Sequence, residues 1–328
     1  MSIFEIDSLE ESNKRALVTG GAGFIVSHIV YRLMKQDCCT VVLDDLSRGN
    51  LDNLKSWRKN PNFKFVQGTL LKKSDIEKAI SNCEVVFHIA ANPEVRRSVE
   101  EPDVHYSQNI LATYNLLEVM RQRNIKKMIF TSTSAVYGDA KILPVPENYG
   151  PLKPISVYGA SKLACEALIA SYCHTFDMKA VIYRFANIIG SRSQYGVIFD
   201  FIQKLRQNPK KLEILGDGTQ TKSYLLVEDC LDAFFFGLEH TAEDVEIFNV
   251  GSDDFINVKA IADIVATEAK LKNVQYFFTG GVDGGRGWKG DIKVIYLLIE
   301  KLKSLGWRPK HNSQQSVTTA ARALLKES

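Results

Sequence analysis

A short apolar segment that runs directly into a cluster of glycines constrains the fold of this chain more than any other feature. Residues 15–19 have the apolar character of a buried strand, and residues 20–25 follow with the sequence GGAGFI. Behind the glycines, Ile25, Ile29 and Leu33 recur at helical spacing. The pattern predicts a strand, a tight glycine turn and a helix, so that backbone N–H groups and the positive helix N-terminus can approach a pyrophosphate.

An acidic residue stands where such a turn requires one. A second predicted strand, residues 40–43, ends at Asp44, 24 residues beyond Gly20. A carboxylate about 20 residues after the glycines holds the adenosine ribose hydroxyls of a dinucleotide. It also disfavours a 2′-phosphate and so favours NAD over NADP, whereas Arg48 argues for NADP. A glycine turn followed by an ordinary surface Asp is the alternative interpretation, which the complete order of strand, glycines, helix, strand and acid disfavours.

Strand-like segments and segments of helical periodicity then alternate along the chain. The strand-like segments are residues 63–66, 85–89, 127–131 and 179–183. Helical periodicity, for example over residues 109–123, separates most of them. Repeated strand and helix units predict an α/β fold, a doubly wound parallel sheet with helices on both faces. Ligands bind such sheets beyond the carboxyl ends of the strands. The loops predicted there are residues 90–93, 132–135 and 187–190.

The chain changes character after Gly190, where loops become longer and richer in glycine. The loops at residues 216–222 and 280–291 carry a few cations and are suited to closing over a phosphorylated ligand; flexible solvent-facing loops are the alternative. Residues 246–250 resemble a strand returning to the sheet, which predicts a smaller, discontinuous C-terminal α/β domain. The predicted domains are residues 1–187 and 226–253 for the dinucleotide, and residues 188–225 and 254–328 for the substrate.

Composition excludes several classes of function. The chain has 328 residues, 45% of them hydrophobic, and a formal net charge of only +3, which gives no argument for nucleic acid as a partner. The first fifteen residues are acidic and polar, and no segment approaches the ~18 apolar residues that span a membrane, so we expect a cytoplasmic protein. Its six cysteines contain no Cys-x-x-Cys pair and its six histidines are dispersed, so we expect reduced thiols and no metal site.

A Tyr-x-x-x-Lys spacing indicates a candidate catalytic pair. Tyr158 and Lys162 lie about one helical turn apart, in front of the helix formers of residues 163–168. The ordinary pKa of a Tyr is about 10, so the phenol is a poor base unless a nearby cation stabilises the phenolate. Lys162 stands where that cation is needed. An ordinary amphipathic helix is the alternative interpretation of this spacing.

Several segments, taken in order, resemble one family. They are the turn at residues 20–25, HIAANP at 88–93, TSTSAVYG at 131–138, YGASK at 158–162, RFAN at 184–187, and the loops that begin at Gly216 and carry Arg286. The chain is similar nearly from end to end to the extended short-chain dehydrogenases/reductases, and most of all to the microbial UDP-glucose 4-epimerases. The resemblance implies a Rossmann-type NAD-binding domain, a nucleotide-sugar domain and a homodimer.

The resemblance also implies roles for individual residues. Tyr158 as phenolate would take the proton of the sugar C4 hydroxyl, Lys162 would lower the Tyr158 pKa and hold the nicotinamide ribose, and Thr133 would hydrogen-bond the same oxygen. The implied cofactor-binding residues are Gly20, Gly23, Phe24, Ile25, Asp44, Asp45, Ala90, Ala91, Asn92, Asn109, Thr131, Tyr158, Lys162 and Phe185. The implied residues for the UDP-sugar are Thr133, Asn187, Val197, Lys222, Tyr224 and Arg286.

Two positions distinguish the reaction types within this family. Nucleotide-sugar 4,6-dehydratases resemble the chain but carry Asp-Glu where Ser134 and Ala135 stand, because eliminating water needs an acid and a base. UDP-glucuronate decarboxylases carry Glu at the position of Ala135. Neither carboxylate is present, which favours NAD-dependent epimerisation at C4 through a 4-keto sugar. The alternatives are a net NAD(P)-dependent oxidoreductase and a binding protein without turnover.

Other positions depart from the family pattern. Val26 replaces the third glycine of the turn, which implies a shifted helix or compensating small residues. Thr69 replaces an acid near the adenine, so we expect weaker NAD binding than is typical. Lys222 replaces the more usual Arg, exchanging a bidentate fork for a point charge. The implied dimer would use the helices at residues 109–123 and 158–176. Their apolar residues Leu116, Leu117, Met120, Leu163, Ala167 and Ile169 face either a second copy or the chain's own core.

Overall fold

The computed structural model describes residues 15–327. The polar leader at residues 1–14, on which part of the expected location depends, lies outside the described residues. The strands are β1 Arg15–Thr19, β2 Cys39–Asp44, β3 Phe63–Gln67, β4 Cys83–His88, β5 Lys127–Thr133, β6 Lys179–Phe185, β7 Asn187–Ile189, β8 Lys211–Ile214, β9 Thr221–Lys222, β10 Tyr224–Leu226, β11 Val245–Val250, β12 Ile256–Asn257, β13 Gln275–Phe278 and β14 Val294–Ile295.

The α-helices connect these strands. They are α1 Phe24–Lys35, α2 Lys73–Ile80, α3 Arg97–Glu100, α4 Pro102–His105, α5 Ala112–Gln122, α6 Val157–Phe176, α7 Val197–Gln207, α8 Val227–Glu239, α9 Val258–Glu268, α10 Glu300–Leu305 and α11 Ser313–Glu327. The predicted helix over residues 109–123 is only partly α-helical, because residues Tyr106–Leu111 form a π-helical turn. In a π-helical turn, each residue rotates the chain about the helix axis by a smaller angle than in an α-helix. The turn contains Asn109, whose side chain forms hydrogen bonds with other segments.

A seven-stranded parallel sheet confirms the predicted α/β class. Its strand order is β11-β6-β5-β4-β1-β2-β3, and β11 confirms the predicted strand at residues 246–250. The register pairs Thr19 of β1 with Leu43 of β2 on one side and with His88 of β4 on the other. His88 pairs in turn with Phe130 of β5. Parallel strands in this register end at a common edge, which is where the glycine turn, Asp44 and the loop after β4 begin.

Two compact units divide the chain. The first contains the described residues up to Thr133, together with Ala160–Arg184 and Phe234–Phe248. The second contains Ser134–Gly159, Phe185–Ala233 and the residues from Asn249 onward. The domain bounds 1–187 and 226–253 stay a prediction; residues 134–159, 185–187, 226–233 and 249–253 belong to the second unit. There the hydroxyl of Tyr137 donates to the Asn249 side chain (2.7 Å), and Val145 forms a β-bridge with Leu297.

Each unit has its own apolar core. In the first, side chains of β1, β2, β4, β5 and β6 pack against α2, α5 and α6. In the second, α7, α9 and α11 pack against β8 and β10. The side chains of Leu116, Leu117, Met120 and Ile169 lie in the first core, 0% exposed, so these four residues belong to the chain's own interior. The predicted dimer therefore has no support from them.

All six cysteines are free thiols, and Cys39 alone among them is half-buried rather than buried. None of the helices found within residues 15–327 is long and apolar enough to cross a bilayer. In the same range, no cluster of three or more His, Cys, Asp or Glu residues is arranged to hold a metal ion.

Candidate active site

The glycine turn has the geometry that a diphosphate cradle requires. Gly20 has a φ of +73°, and a Cβ added there would lie 2.9 Å from the Cα of Ala90. Gly23 precedes α1 and provides no side-chain cap, and the first turn of α1 contains no acidic residue. The helix N-terminus therefore presents its positive partial charge at the turn. Phe24 is buried and Ile25 half-buried at the start of the helix.

Asp44 lies at the end of β2, and its carboxylate accepts two backbone hydrogen bonds. Oδ2 accepts from the N–H of Ala22 (2.9 Å) and Oδ1 from the N–H of Leu46 (2.8 Å). These bonds tie the glycine turn to the loop after β2. Burial raises the pKa of Asp44, which opposes the effect of the two bonds. Asp45 is exposed and accepts from the N–H of Ser47 (2.9 Å). Contacts of Asp44 and Asp45 with a ribose stay predictions.

Arg48, the residue that argues for NADP, has a carboxylate partner. Its guanidinium forms an ion pair with Glu94 in the loop after β4. Both side chains are exposed, 36% and 44%, and an exposed pair contributes little to stability. The contact therefore does not decide between NAD and NADP.

The two asparagines predicted to bind the cofactor are engaged within the protein. Asn109 accepts through Oδ1 from the N–H of Asn92 (2.8 Å), and its Nδ2 donates to Ser161 Oγ on α6 (2.9 Å). Asn92 donates through Nδ2 to Gln108 Oε1 (3.0 Å) and accepts from the N–H of Glu94 (3.1 Å). Both are 2% exposed. They fasten the loop carrying Ala90 and Ala91 to the π-helical turn and to α6.

A buried hydrogen-bond chain supports the same loop. The Thr19 hydroxyl accepts from the backbone N–H groups of residues 89–90 (3.2 Å each) and lies 2.9 Å from His88 Nδ1. Its own hydrogen therefore points to Nδ1, which assigns the Nε2–H tautomer to His88. Nε2–H then donates to Thr113 Oγ1 (2.9 Å), which donates to the Cys165 sulfur (3.3 Å). Burial and the charge of Lys162 lower the pKa of His88 to about 3.

Lys162 is buried on α6 beside the end of β5. Its Nζ donates to the carbonyl oxygen of Thr131 (2.7 Å) and lies 4.5 Å from the ring centroid of Phe130. Burial lowers the pKa of Lys162 to about 8. Thr133 is the last residue of β5, three positions beyond the Phe130 that pairs with His88, and is half-buried. Lys162 and Thr133 both belong to the first unit.

Tyr158 stands in the first turn of α6 and belongs to the second unit. It is half-buried, and the one continuous helix carries it a turn before Lys162. The next residue, Gly159, packs on the carbonyl of Ala135, because a Cβ added there would lie 2.6 Å from that oxygen. Ser134 and Ala135 therefore lie against the helical turn that carries Tyr158.

In the second unit, two predicted phosphate-binding cations converge on Asp291. Lys222 Nζ lies 2.6 Å from Asp291 Oδ1, and Arg286 donates to the Asp291 carbonyl oxygen (2.6 Å). Arg286 also forms a bidentate pair with Asp139, at 3.1 and 2.9 Å. The Asp291 side chain is 3% exposed, whereas that of Asp139 is 51% exposed. The Lys222 ammonium lies 5.6 Å from the Trp288 ring centroid.

The other predicted sugar-nucleotide residues occupy different environments in the second unit. Asn187 is half-buried and donates through Nδ2 to the Ser223 carbonyl (3.0 Å). Tyr224 lies in the second core, and burial raises its pKa. Val197 begins α7 and packs against that core. Phe185, which is predicted to bind the cofactor and not the sugar, ends β6 and is 6% exposed. Their contacts with a ligand stay predictions.

The sequence did not single out two buried carboxylates that hold charged side chains. Asp291 holds Lys222, and Glu166 on α6 binds Arg184. Glu166 had one signal, its position four residues after Lys162 on the same helix. Asp291 had none, because its partner lies 69 positions away in the chain.

The match to known proteins assigns the family. The model of the NAD dependent epimerase/dehydratase family matches residues 16–251. The chain belongs to the NAD dependent epimerase/dehydratase family. This match confirms the predicted resemblance and the predicted NAD, and it covers the glycine turn, Tyr158 and Lys162.

Members of this family with different reactions are similar to the chain. A putative UDP-glucose 4-epimerase from Methanocaldococcus jannaschii is 37% identical over 308 residues, 92% of this chain and 95% of that protein. The dTDP-D-glucose 4,6-dehydratase of Mus musculus is 31% identical over 304 residues, 90% of this chain and 84% of that protein. A crystal structure of UDP-galactose 4-epimerase has a TM-score of 0.84 at 40% identity, covering 95% of this chain and 99% of that one. The chain is thus an NAD-dependent enzyme of the nucleotide-sugar epimerase/dehydratase family.

The two departures from the family's cofactor pattern are accommodated locally. Val26 is buried, 6% exposed, within an α1 that still begins at Phe24. Thr69 donates its N–H to Asp75 Oδ2 (3.2 Å), so a carboxylate lies beside the position from which the family's acid is missing. Weaker NAD binding stays a prediction.

Proposed function

We propose that the chain epimerises UDP-hexoses at C4, interconverting UDP-glucose and UDP-galactose with NAD. The observation that carries this proposal is the absence of carboxylates at Ser134 and Ala135, beside the turn of Tyr158. Dehydratases of the family, by the resemblance described above, carry Asp-Glu at these positions. Tyr158, Lys162 and Thr133, which hydride chemistry needs, are all present.

The residues of the first unit fit NAD. Gly20 adopts a left-handed φ and touches Ala90, so any side chain there would fill the cradle for the diphosphate. The uncapped N-terminus of α1 supplies the complementary charge. Asp44 at the end of β2 is the group for the adenosine ribose, and Lys162 is the group for the nicotinamide ribose. When bound, NAD would supply the hydride acceptor and donor for C4, which allows hydride to return to the other face of the sugar.

The chain's own side chains move and hold the proton. Tyr158 Oη takes the proton of the C4 hydroxyl and gives it back when the alcohol is restored. The Lys162 ammonium stabilises the phenolate electrostatically, since an opposite charge lowers the pKa of an acid. The Thr133 hydroxyl hydrogen-bonds the same substrate oxygen. The reaction has no net oxidation, so NAD is regenerated in each turnover and does not need to dissociate.

Anchoring the sugar nucleotide is the task of the second unit. Lys222 and Arg286 supply positive charge for the diphosphate, with Asn187, Val197 and Tyr224 as further contacts. The 4-keto sugar must turn over before it is reduced on its other face, so the diphosphate has to stay bound while the sugar moves. A firm phosphate site and few fixed sugar contacts meet that requirement.

The direct test is to incubate the purified protein with UDP-galactose and to analyse the products by chromatography. We expect UDP-glucose without added NAD, and no product from Tyr158→Phe. A 4-keto-6-deoxy product would identify a dehydratase instead, and NADH accumulating in proportion to substrate would identify a net oxidoreductase. No conversion of UDP-glucose, UDP-galactose or their N-acetylated forms, even with NAD added, would refute the proposal and leave a binding protein.

We also propose that the enzyme is a homodimer. Tyr106, at the start of the π-helical turn, is 60% exposed and Tyr114 on α5 is 40% exposed, so both present aromatic surface that the chain's own core does not cover. Sedimentation at micromolar concentration tests the proposal, and a single monomeric species would refute it.

A further inference from the structure

A buried ion pair lies one turn beyond Lys162 on α6. The Glu166 carboxylate receives Arg184 Nε at 3.1 Å on Oε1 and Arg184 Nη2 at 2.7 Å on Oε2. The Ser132 hydroxyl also donates to Oε1. Side-chain exposure is 4% for Arg184 and 6% for Glu166, and all three residues belong to the first unit. The proposed reaction assigns none of them a role.

Lys162 differs from the other cations described above, each of which forms an ion pair with a carboxylate. Within residues 15–327, no carboxylate forms an ion pair with its ammonium, which is held by the Thr131 carbonyl and the Phe130 ring. The titratable groups that face Lys162 are His88 from β4 and Cys165 and Glu166 from α6, with Arg184 of β6 behind Glu166. His88 is neutral, and burial keeps Cys165 a thiol by raising its pKa.

Glu166 is therefore the negative charge that faces Lys162, and Arg184 neutralises it. Tyr158, Lys162 and Glu166 are spaced at four-residue intervals on one helix, so all three lie on the same face. A bare carboxylate at Glu166 would attract the Lys162 ammonium and oppose negative charge on the Tyr158 oxygen. Removal of one partner of a buried pair leaves the other charge uncompensated.

We propose that Arg184 is a positioning residue that, by binding the Glu166 carboxylate bidentately, keeps the positive charge of Lys162 available to the Tyr158 phenolate. The proposal rests on the function proposed above, in which Tyr158 acts as the base. It adds that the local field at Tyr158 depends on the sum of the Glu166 and Arg184 charges, which is zero in this protein.

Three variants separate charge from structure. Arg184→Met leaves Glu166 uncompensated and should raise the pKa of Tyr158 by about one unit, because eight helical residues rise about 12 Å and a unit charge at that distance, in an effective dielectric constant of about 20, shifts a pKa by about that amount. Adding Glu166→Gln to Arg184→Met restores a neutral pair and should return the Tyr158 pKa to the wild-type value. Arg184→Lys keeps the charge but loses the fork, and should leave the Tyr158 pKa within about 0.3 units of wild type.

The measurement needs neither substrate nor turnover. Tyr158 is titrated by tyrosinate absorbance in the NAD-containing protein, and each curve is corrected by subtracting the same variant with Tyr158→Phe. The subtraction removes the other tyrosines. Because the assay is independent of epimerisation, a protein without C4 activity would refute the proposed function while still allowing this titration.

A purely structural role for the Glu166–Arg184 ion pair predicts different Tyr158 pKa values in these variants. In that case the doubly substituted protein would be disturbed at least as much as Arg184→Met, and its Tyr158 pKa would not return. Either that result or an unchanged Tyr158 pKa in a folded Arg184→Met would overturn the proposal. If Arg184→Met does not fold, the neutral double variant and Arg184→Lys still decide, since a shift of more than about half a unit in either would overturn it.

Discussion

Acidification should destabilise this protein through His88, whose tautomer and neutrality are both imposed by its surroundings. The ring is 1% exposed and bonded at both nitrogens, to Thr19 and Thr113. Thr19 has its hydrogen committed to Nδ1, so a protonated ring would place an N–H against another donor. The pKa in the folded protein is about 3, whereas an unfolded His titrates near 6.5.

The sign follows from proton counting. Between pH 6.5 and 3 the unfolded chain binds one proton at residue 88 that the folded chain does not, so the stability it contributes is present above pH 6.5 and is lost as pH falls. The slope is about 1.4 kcal/mol per pH unit, and integration from about pH 6 to about pH 4.5 gives a loss of about 2 kcal/mol. The His88→Gln protein keeps a neutral polar group there and should lose about 2 kcal/mol less over the same interval.

Urea unfolding at the two pH values measures the effect. Carboxylates and His105 titrate in both proteins, so their contributions cancel in the difference. The exposed His174 on α6 supplies the matched control, and His174→Gln should leave the pH dependence of wild type unchanged. If His88→Gln and wild type lose the same unfolding free energy to within about 0.5 kcal/mol, the reasoning about the buried neutral ring is wrong.

Three further outcomes are expected. Asp139→Asn frees Arg286 from an exposed competitor and should strengthen UDP binding, measured by calorimetry, by up to about fivefold, while weaker binding would contradict this. Gly20→Ala forces a Cβ to within 2.9 Å of the Ala90 backbone at a φ of +73°, and should lower the unfolding free energy by about 1–3 kcal/mol together with the NAD content. A thiol reagent on the native protein should modify half-buried Cys39 first, and mass mapping that finds a buried cysteine labelled earlier would refute this.

Short-range sequence patterns were sufficient to predict the cofactor-binding part of the fold. The glycine turn, α1 and Asp44 lie within one strand-helix-strand unit, where spacing and side-chain size determine the geometry. The returning strand β11 was also recognisable, because a buried apolar run needs a sheet. The π-helical turn at Asn109 was not, since it depends on partners at Asn92 and Ser161 that lie 17 and 52 positions away.

The ion-pair partners of the charged side chains could not be predicted from the sequence. Glu166 and Arg184 are 18 positions apart, and Arg286 and Asp139 are 147 apart, so no periodicity links them. The family resemblance predicted the cations, because they are expected to contact the ligand. It did not predict which carboxylates pair with those cations. Only the tertiary fold brings each Asp or Glu to its partner.

The two halves of the proposed chemistry use charge in opposite ways, and their environments agree with this. A catalytic cation must act on its phenolate continuously, so Lys162 is buried beside Thr131 with its neighbouring carboxylate already neutralised by Arg184. An anchoring cation has to act only when the ligand arrives, and a bound carboxylate can hold it until then. Asp139 is exposed and replaceable on Arg286, because an exposed pair contributes little. Asp291 is buried, pairs with Lys222 at 2.6 Å and also accepts from the Gly287 N–H (3.1 Å), so it stays with the loop and a diphosphate has to share Lys222 with it.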